Sequence, residues 1–463
     1  MLLRNYFRNT PSASYRFVFV GPGRLGKENH MVSVMRRRRL AVAGLVALLV
    51  VLTAAVSASA GGAKKQQVDL VFWTFLNNSK EVAIWNQQHP DIHVTAKQLP
   101  STDYYAKLTA AVKAGNGPDA ALVEYQFVPT EIASNTLADI SSLGADAVKA
   151  KFPAWVWNQV SPDGTHVYGI PQDVAPMGLY YRKDVFAKYH IAVPKTWAQY
   201  VAAAAKLHRA NKAYTMADLA PQQGGQFAGF AWQAGAHWFG TSGNAWTVSV
   251  NDPATKKVAA VWQKMLNAKS IATGQDFTPQ WINGLTNGHI ATWVGAVWGG
   301  SYLRGAAAKA SGKWRVAPMP QWAAGQHRSG NWGGSSIGVT KSSQHAKEAA
   351  QFVVWLNSDP APVDSMITNS SIMPALTSEL SRPVFSAKQP YFGGQQSFVL
   401  FKQFSNWVDP SWTWGPTMVT VYNAINSEFG KAVAGKQTLA KALDNVQNTT
   451  VADMKKQGFT VAP

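Results

Sequence analysis

Asp173 lies between two prolines, inside the stretch from Tyr168 to Phe186. Pro171 and Pro176 fix φ and supply no backbone donor, so the residues between them cannot lie mid-sheet. The stretch reads as a strand that leaves one domain, crosses a hinge and resumes at Leu179 in another. A carboxylate at such a crossing faces the gap between domains, where it can accept hydrogen bonds from a ligand held by both. The chain also carries nineteen tryptophans, all from Trp73 onward. Flat indole faces suit a ligand with an apolar face and a belt of hydroxyls, as a pyranose ring has. A hydroxyl taken out of water costs a few kcal/mol unless it is paired, so such a site needs carboxylates or amides beside its indoles.

Candidates for that chemistry follow the predicted strand ends and crossings. Asp173 is the hydroxyl acceptor, with bonding to hinge backbone as the bland alternative. Trp298 sits in a glycine-flanked turn. Trp332 stands beside Gly333 and Gly334, where backbone amides can approach a ligand closely or merely form a bulge. Asn77 follows the first strand, and Glu124 and Tyr125 end the third. Trp232 and Trp414 are further candidates. Trp73 reads as core, as do Trp85, Trp197, Trp262 and Trp355, which sit in helices at core spacing.

The elements that must position these residues alternate. Residues 68–73 form a strand, and Asn78 or Ser79 can cap a helix that stops at His89-Pro90. Ile92 to Thr95 is a strand, and Asp103 caps a helix with Tyr104, Leu108 and Val112 on one face and Gly115 past its end. Ala120 to Glu124 is another strand. Strands alternating with helices predict an α/β sheet with parallel strands, with ligands outside the carboxyl ends. Further on, Thr196-Trp197 opens a helix, residues 314–320 form a second crossing, and residues 331–339 a short glycine-rich strand. Ala346 to Asn357 is a helix broken by Asp359-Pro360, and the last third is mainly helical.

The N-terminus speaks to compartment. Arg36 to Arg39 precede an apolar run from Leu40 to Val56, and Ala58-Ser-Ala60 fits a cleavage site. Residues 31–60 therefore read as a secretory signal cut before Gly61, with a membrane anchor as the alternative. Gly21 to Lys27 matches G-x-G-x-x-G, but the signal segment follows where a phosphate-binding helix is needed. Residues 1–30 read as a misassigned start. Removing residues 1–60 takes away nine bases and one acid and brings the charge from +19 to +11. The remaining bases are scattered, which disfavours nucleic acid. With no cysteine there is neither a disulfide nor a lipid-carrying residue after the signal. No catalytic set is visible: Pro90 separates His89 from His93, no metal or cofactor motif survives, and only six glutamates follow Gly61. The chain is expected not to be an enzyme; a secreted glycosidase, which needs two carboxylates across one bond, is the remote alternative.

In order along residues 68–450, these landmarks resemble the extracellular solute-binding proteins of ABC importers, family 1, typified by maltodextrin- and sugar-binding proteins. The matching pieces are Phe72-Trp73, the turn Ala114 to Asp119, the crossing Tyr168 to Phe186, Pro194-x-Thr196-Trp197, the Trp298 turn, Ala317 to Pro320, Gly333-Gly334 and the tail Gly435 to Leu443. The resemblance implies a type II periplasmic-binding-protein-like fold: two α/β lobes joined by several hinge crossings, with the ligand cleft between them. It implies residues 61–172 and 328–358 for one lobe, and 173–327 and 359–463 for the other. It also implies that Trp298 stacks on sugar, that the lobes close on the ligand, and that the partners are ABC permease subunits and a separate ATPase. The protein is then an exported monomer with a mono- or oligosaccharide ligand and no cofactor. The same scaffold could instead hold a polyamine, metal chelate or peptide. Relatives from single-membrane bacteria usually carry a cysteine after the signal; its absence here leaves the tether open.

Overall fold

The structure, a computed structural model, describes residues 67–101, 103–370 and 372–462. The signal segment, the glycine motif at Gly21 to Gly26 and the expected cut before Gly61 lie outside them. No described helix is long and apolar enough to cross a membrane.

The described strands are β1 (Val68–Thr74), β2 (Ile92–Gln98), β3 (Ala120–Glu124), β4 (Ile170–Pro171), β5 (Met177–Arg182), β6 (Phe239–Ser242), β7 (Ala245–Val248), β8 (Thr292–Ala296), β9 (Trp314–Ala317) and β10 (Ser335–Val339). The first sheet has the order β2-β1-β3-β10-β4. β1 runs parallel to β2, with Val68 opposite Ile92, and parallel to β3, with Phe72 opposite Ala120. β10 enters antiparallel between β3 and β4. β4 is thus an edge strand, which is where Pro171 can be accommodated without a missing ladder bond. One face of the sheet buries Leu70 and Phe72 with Val82 and Trp85 of the helix Ser79–Gln88. Trp85 also donates its indole N–H to the Ile92 carbonyl at 3.0 Å, tying helix to strand. The opposite face buries Tyr104, Leu108 and Val112 with Ala121 and Val123 in a smaller core.

The second sheet, β8-β5-β9, is antiparallel with β5 at its centre. The chain therefore leaves the first sheet at β4 and enters the second at β5 within a few residues, as the proline spacing predicts. It returns from β9 to β10. Residues 330–335 run back beside residues 172–177, through Met177 N to Gly330 O and Trp332 N to Ala175 O.

Two local expectations are corrected. Asp103 does not cap its helix through its side chain. Its φ is +59°, in the left-handed region, and its backbone carbonyl accepts from Lys107 N. The second concerns the division that the resemblance implies at residue 359, where the chain does not move away from the helices of the first sheet. The helix Pro360–Ser370 packs against both Ala346–Ser358 and Ser79–Gln88, with Lys80 Nζ 2.6 Å from Asn369 Oδ1. The crossing comes later: Val174 N donates to Met373 O and Ala375 N to Gln172 O. Pro360 begins a new helix there because a first-turn proline loses no intrahelical bond.

Candidate functional site

A cavity of about 250 Å³ lies where the crossings meet the strand ends. Each wall has a local cause. After β1, Thr74 Oγ1 accepts from Leu76 N (3.0 Å) and donates to Asn78 Oδ1 (3.0 Å). That turn brings Phe75 and Leu76 to the cavity. β3 ends at Glu124, and β10, being antiparallel, begins at Ser335 on the same rim. The second sheet contributes Val297, Trp298 and Ser301 after β8, and the last crossing contributes Ile372 and Met373.

Asp173, Glu124, Trp298, Trp332 and Gly333, all singled out from sequence, line this one cavity. The half-buried Asp173 carboxylate accepts from Ser335 N through Oδ1 at 2.8 Å. Burial, followed by repulsion from Glu124, outweighs that bond and raises its pKa to about 7. Glu124 Oε2 accepts from Tyr105 OH at 3.1 Å, and the same hydroxyl accepts from Glu124 N at 3.0 Å. Burial raises the Glu124 pKa as well. Among the described residues no lysine or arginine lines the cavity. Sequence reasoning found no carboxylate pair; the structure makes one, because the crossing brings Asp173 back to the end of β3. Both carboxylates keep acceptor capacity beyond the bonds just described, with no cation among the described cavity-lining residues to neutralise them.

The indoles are fixed by one another. Trp298 donates its N–H to the Trp332 carbonyl at 2.9 Å, and the rings meet edge-on at 4.8 Å and 68°. Trp293 closes the cluster, 5.7 Å from Trp298. The segment carrying Trp332 is held by the buried Asn331, which accepts from Ala175 N (3.0 Å) and donates to Gly333 O (2.7 Å).

The remaining candidates lie elsewhere. Tyr125 is fully buried and donates its hydroxyl to the Asp173 backbone carbonyl at 2.9 Å; it braces the crossing from behind. Asn77 is exposed and does not line the cavity. Its Oδ1 accepts from Ser79 N and Oγ, while Asn78 holds the N-cap position through its carbonyl, which accepts from Val82 N, and makes no side-chain cap. Trp232 and Trp414 are corrected to core. Trp232 stacks on Trp412 at 5.0 Å and 9°, meets Trp414 edge-on, and donates to the Asp409 carbonyl. Three indoles packed on one another leave no face for a ligand. The carboxyl-end rule places Phe75 and Leu76, which follow β1, at the ligand rim, as found. Sequence reasoning missed Ser301, Ile372 and Met373, and nothing local marks the last two. A roomier groove of about 380 Å³, lined by residues such as Gln275, Asn283 and Asn287, lies away from the strand ends and has no carboxylate in its walls.

Asp173 carries a pH prediction. Its folded pKa lies above the unfolded value, so between about pH 4 and 7 the folded state holds a proton that the unfolded state lacks. This residue therefore lowers stability as pH rises through that window and adds no further slope above it. A ligand donating hydroxyls to Asp173 favours the carboxylate, so affinity should rise several-fold from pH 6 to pH 8. Calorimetric titration across that range should show the rise, and Asp173→Asn should flatten it. An unchanged profile in the variant would remove Asp173 from the site.

The family model described as bacterial extracellular solute-binding protein matches residues 64–361. An arabinooligosaccharide-binding protein of Halalkalibacterium halodurans is 23% identical over 415 residues, covering 84% of this chain and 90% of its own. A lactose-binding protein of Rhizobium radiobacter is 23% identical, covering 76% of this chain and 83% of its own. Among solved structures, the galacto-N-biose-/lacto-N-biose I-binding protein of the ABC transporter from Bifidobacterium longum, in complex with lacto-N-biose, superposes with a TM-score of 0.77 and 28% identity. That match covers 86% of this chain and 99% of the other. An ABC transporter binding protein from B. animalis subsp. lactis, in complex with β-1,6-galactobiose, gives 0.74 and 28%, covering 86% and 100%.

Proposed function

Because this chain belongs to the bacterial extracellular solute-binding proteins, we propose that it is the capture component of an ABC sugar importer, taking a short oligosaccharide into the cavity between its two α/β lobes. The observation that carries this reading is the juxtaposition, in one cavity, of two indoles with two uncompensated carboxylates. Trp298 and Trp332 offer apolar surface to a sugar ring, while Asp173 and Glu124 accept from its hydroxyls. At about 250 Å³ the cavity falls just below the roughly 300–1,000 Å³ of drug-sized ligand sites, which favours a compact saccharide. The relatives named above, whose descriptions specify disaccharides and arabino-oligosaccharides, support the same class.

The lobes that enclose this ligand are residues 67–172 with 328–370, and residues 173–327 with 376–462, the second boundary following the packing of Pro360–Ser370. Closure about the crossings, driven by contacts made only in the closed form, shifts the population toward the shape that an ABC permease reads. A separate ATPase supplies the energy, and export by residues 31–60 places the monomer outside the cytoplasm. The chain binds and releases its ligand unchanged.

A thermal-shift and scattering panel with the purified protein tests this reading. Lacto-N-biose, β-1,6-galactobiose, lactose, arabino-oligosaccharides and spermidine form the panel. At least one saccharide should raise the melting temperature by several degrees and shrink the radius of gyration. Stabilisation by spermidine alone would assign the two carboxylates to a polyamine instead.

A further inference from the structure

Away from the cavity, two aspartates are buried with no base to meet them. Asp218 is 2% exposed and Asp276 3%. One Asp218 oxygen and both Asp276 oxygens find no donor, yet the two carboxyl groups lie within hydrogen-bonding reach of each other. Ionised carboxylates only accept, so these two can bond only if one of them carries a proton. The titratable groups facing them are Tyr200, whose hydroxyl is taken by Thr292 Oγ1 at 2.6 Å, and Tyr302. The Trp281 indole also faces Asp218. No lysine, arginine or histidine among the described residues pairs with either carboxyl.

Their position matters because of the next residue. Asp218 lies beside Ala272 in a parallel bridge, and Asp276 is carried by the turn that follows. Phe277 comes next, with φ +62° and 37% exposed. A bulky residue in the left-handed region needs its surroundings to hold it there. Its ring lies 6.3 Å from Trp298 at 39°, and 5.0 Å from Tyr302. The turn ends where Thr278 Oγ1 accepts from Trp281 N at 3.3 Å, starting the helix Pro279–Asn287.

We propose that Asp218 and Asp276 share one proton across a buried carboxyl–carboxylate bond, and that this bond seats the 274–278 turn so that Phe277 backs Trp298 at the cavity wall. The shared proton stands on its own; the positioning role rests on Trp298 meeting the sugar. Burial, then repulsion by Asp218, holds Asp276 protonated up to about 11. Between the unfolded value and that one, the folded state carries a proton that the unfolded chain lacks, so stability falls as pH rises.

Urea unfolding between pH 8.5 and 9.5 tests the proton, above the range in which Asp173 titrates. The native protein's unfolding constant should rise tenfold per pH unit from this pair, and Asp276→Asn, which keeps a donor toward Asp218, should remove that slope. Equal slopes in both proteins would overturn the shared proton. Calorimetry with the best binder among the four saccharides tests the positioning. Asp276→Asn should bind as the native protein does. Asp276→Ala should bind about tenfold more weakly, and Phe277→Ala, which leaves the pair intact, should reproduce that loss even if Asp276→Ala fails to fold. Native affinity in Phe277→Ala would overturn the positioning role. Failure of every saccharide to bind would refute the sugar reading, while the unfolding slopes would still decide the proton.

Discussion

Replacing Trp298 by alanine should weaken saccharide binding by about thirtyfold or more. Truncating a central aromatic anchor typically costs about 2–4 kcal/mol of binding, and Trp298 has two roles to lose. Its face lines the cavity, and its indole N–H holds the Trp332 carbonyl. The family resemblance implies only a ring that stacks on sugar. The structure adds a stability cost, because the ring also packs against Trp293, Trp332 and Phe277. Trp298→Phe separates the roles. It keeps an aromatic face but loses the bond to Trp332, and should bind about tenfold more weakly than the native protein with a smaller loss of stability. Calorimetric titration and urea unfolding of both variants decide the matter. Native affinity in Trp298→Ala, with only the stability reduced, would make this residue core.

Gly334→Ala should destabilise the protein by about 2–5 kcal/mol and abolish measurable binding. Its φ is +88°, which costs a non-glycine residue about 1–2 kcal/mol. A β-carbon there would also lie 2.7 Å from the Tyr125 ring and 3.1 Å from the Asp173 carbonyl, and overpacking adds about 1–3 kcal/mol. Tyr125 can yield only by giving up its bond to Asp173, which would displace the carboxylate as well. Gly115 provides the control: its φ is +74°, but nothing lies within 4 Å of the added carbon. Gly115→Ala should cost only the backbone strain and leave affinity untouched. Equal effects of the two substitutions on binding would show that Gly334 does not position the site.

Periodicity and proline or glycine placement act on near neighbours, and these made the α/β alternation and the first crossing legible. Pro171 and Pro176 constrain their own backbone wherever they stand, so Asp173 was bound to leave the sheet. The glycines after Trp332 likewise marked a close approach of backbone. The same local marks misled at Asp103, where a residue type suited to capping adopts a left-handed conformation instead. At Pro360 they marked the helix stop but not the new helix that starts there.

Composition by itself pointed to aromatic rings and a few carboxylates as the groups suited to recognition. Only the tertiary structure decided which ones. Trp232 and Trp298 are the same side chain, each close to a glycine in sequence, yet one stacks on Trp412 inside the core and the other lines the cavity. Glu124 and Asp173 became a pair, as did Asp218 and Asp276, through crossings that join segments far apart in the chain. Whether an indole face or a carboxylate oxygen is free depends on what packs against it. That packing is settled by burial of surface between distant segments, which no local pattern of residues encodes.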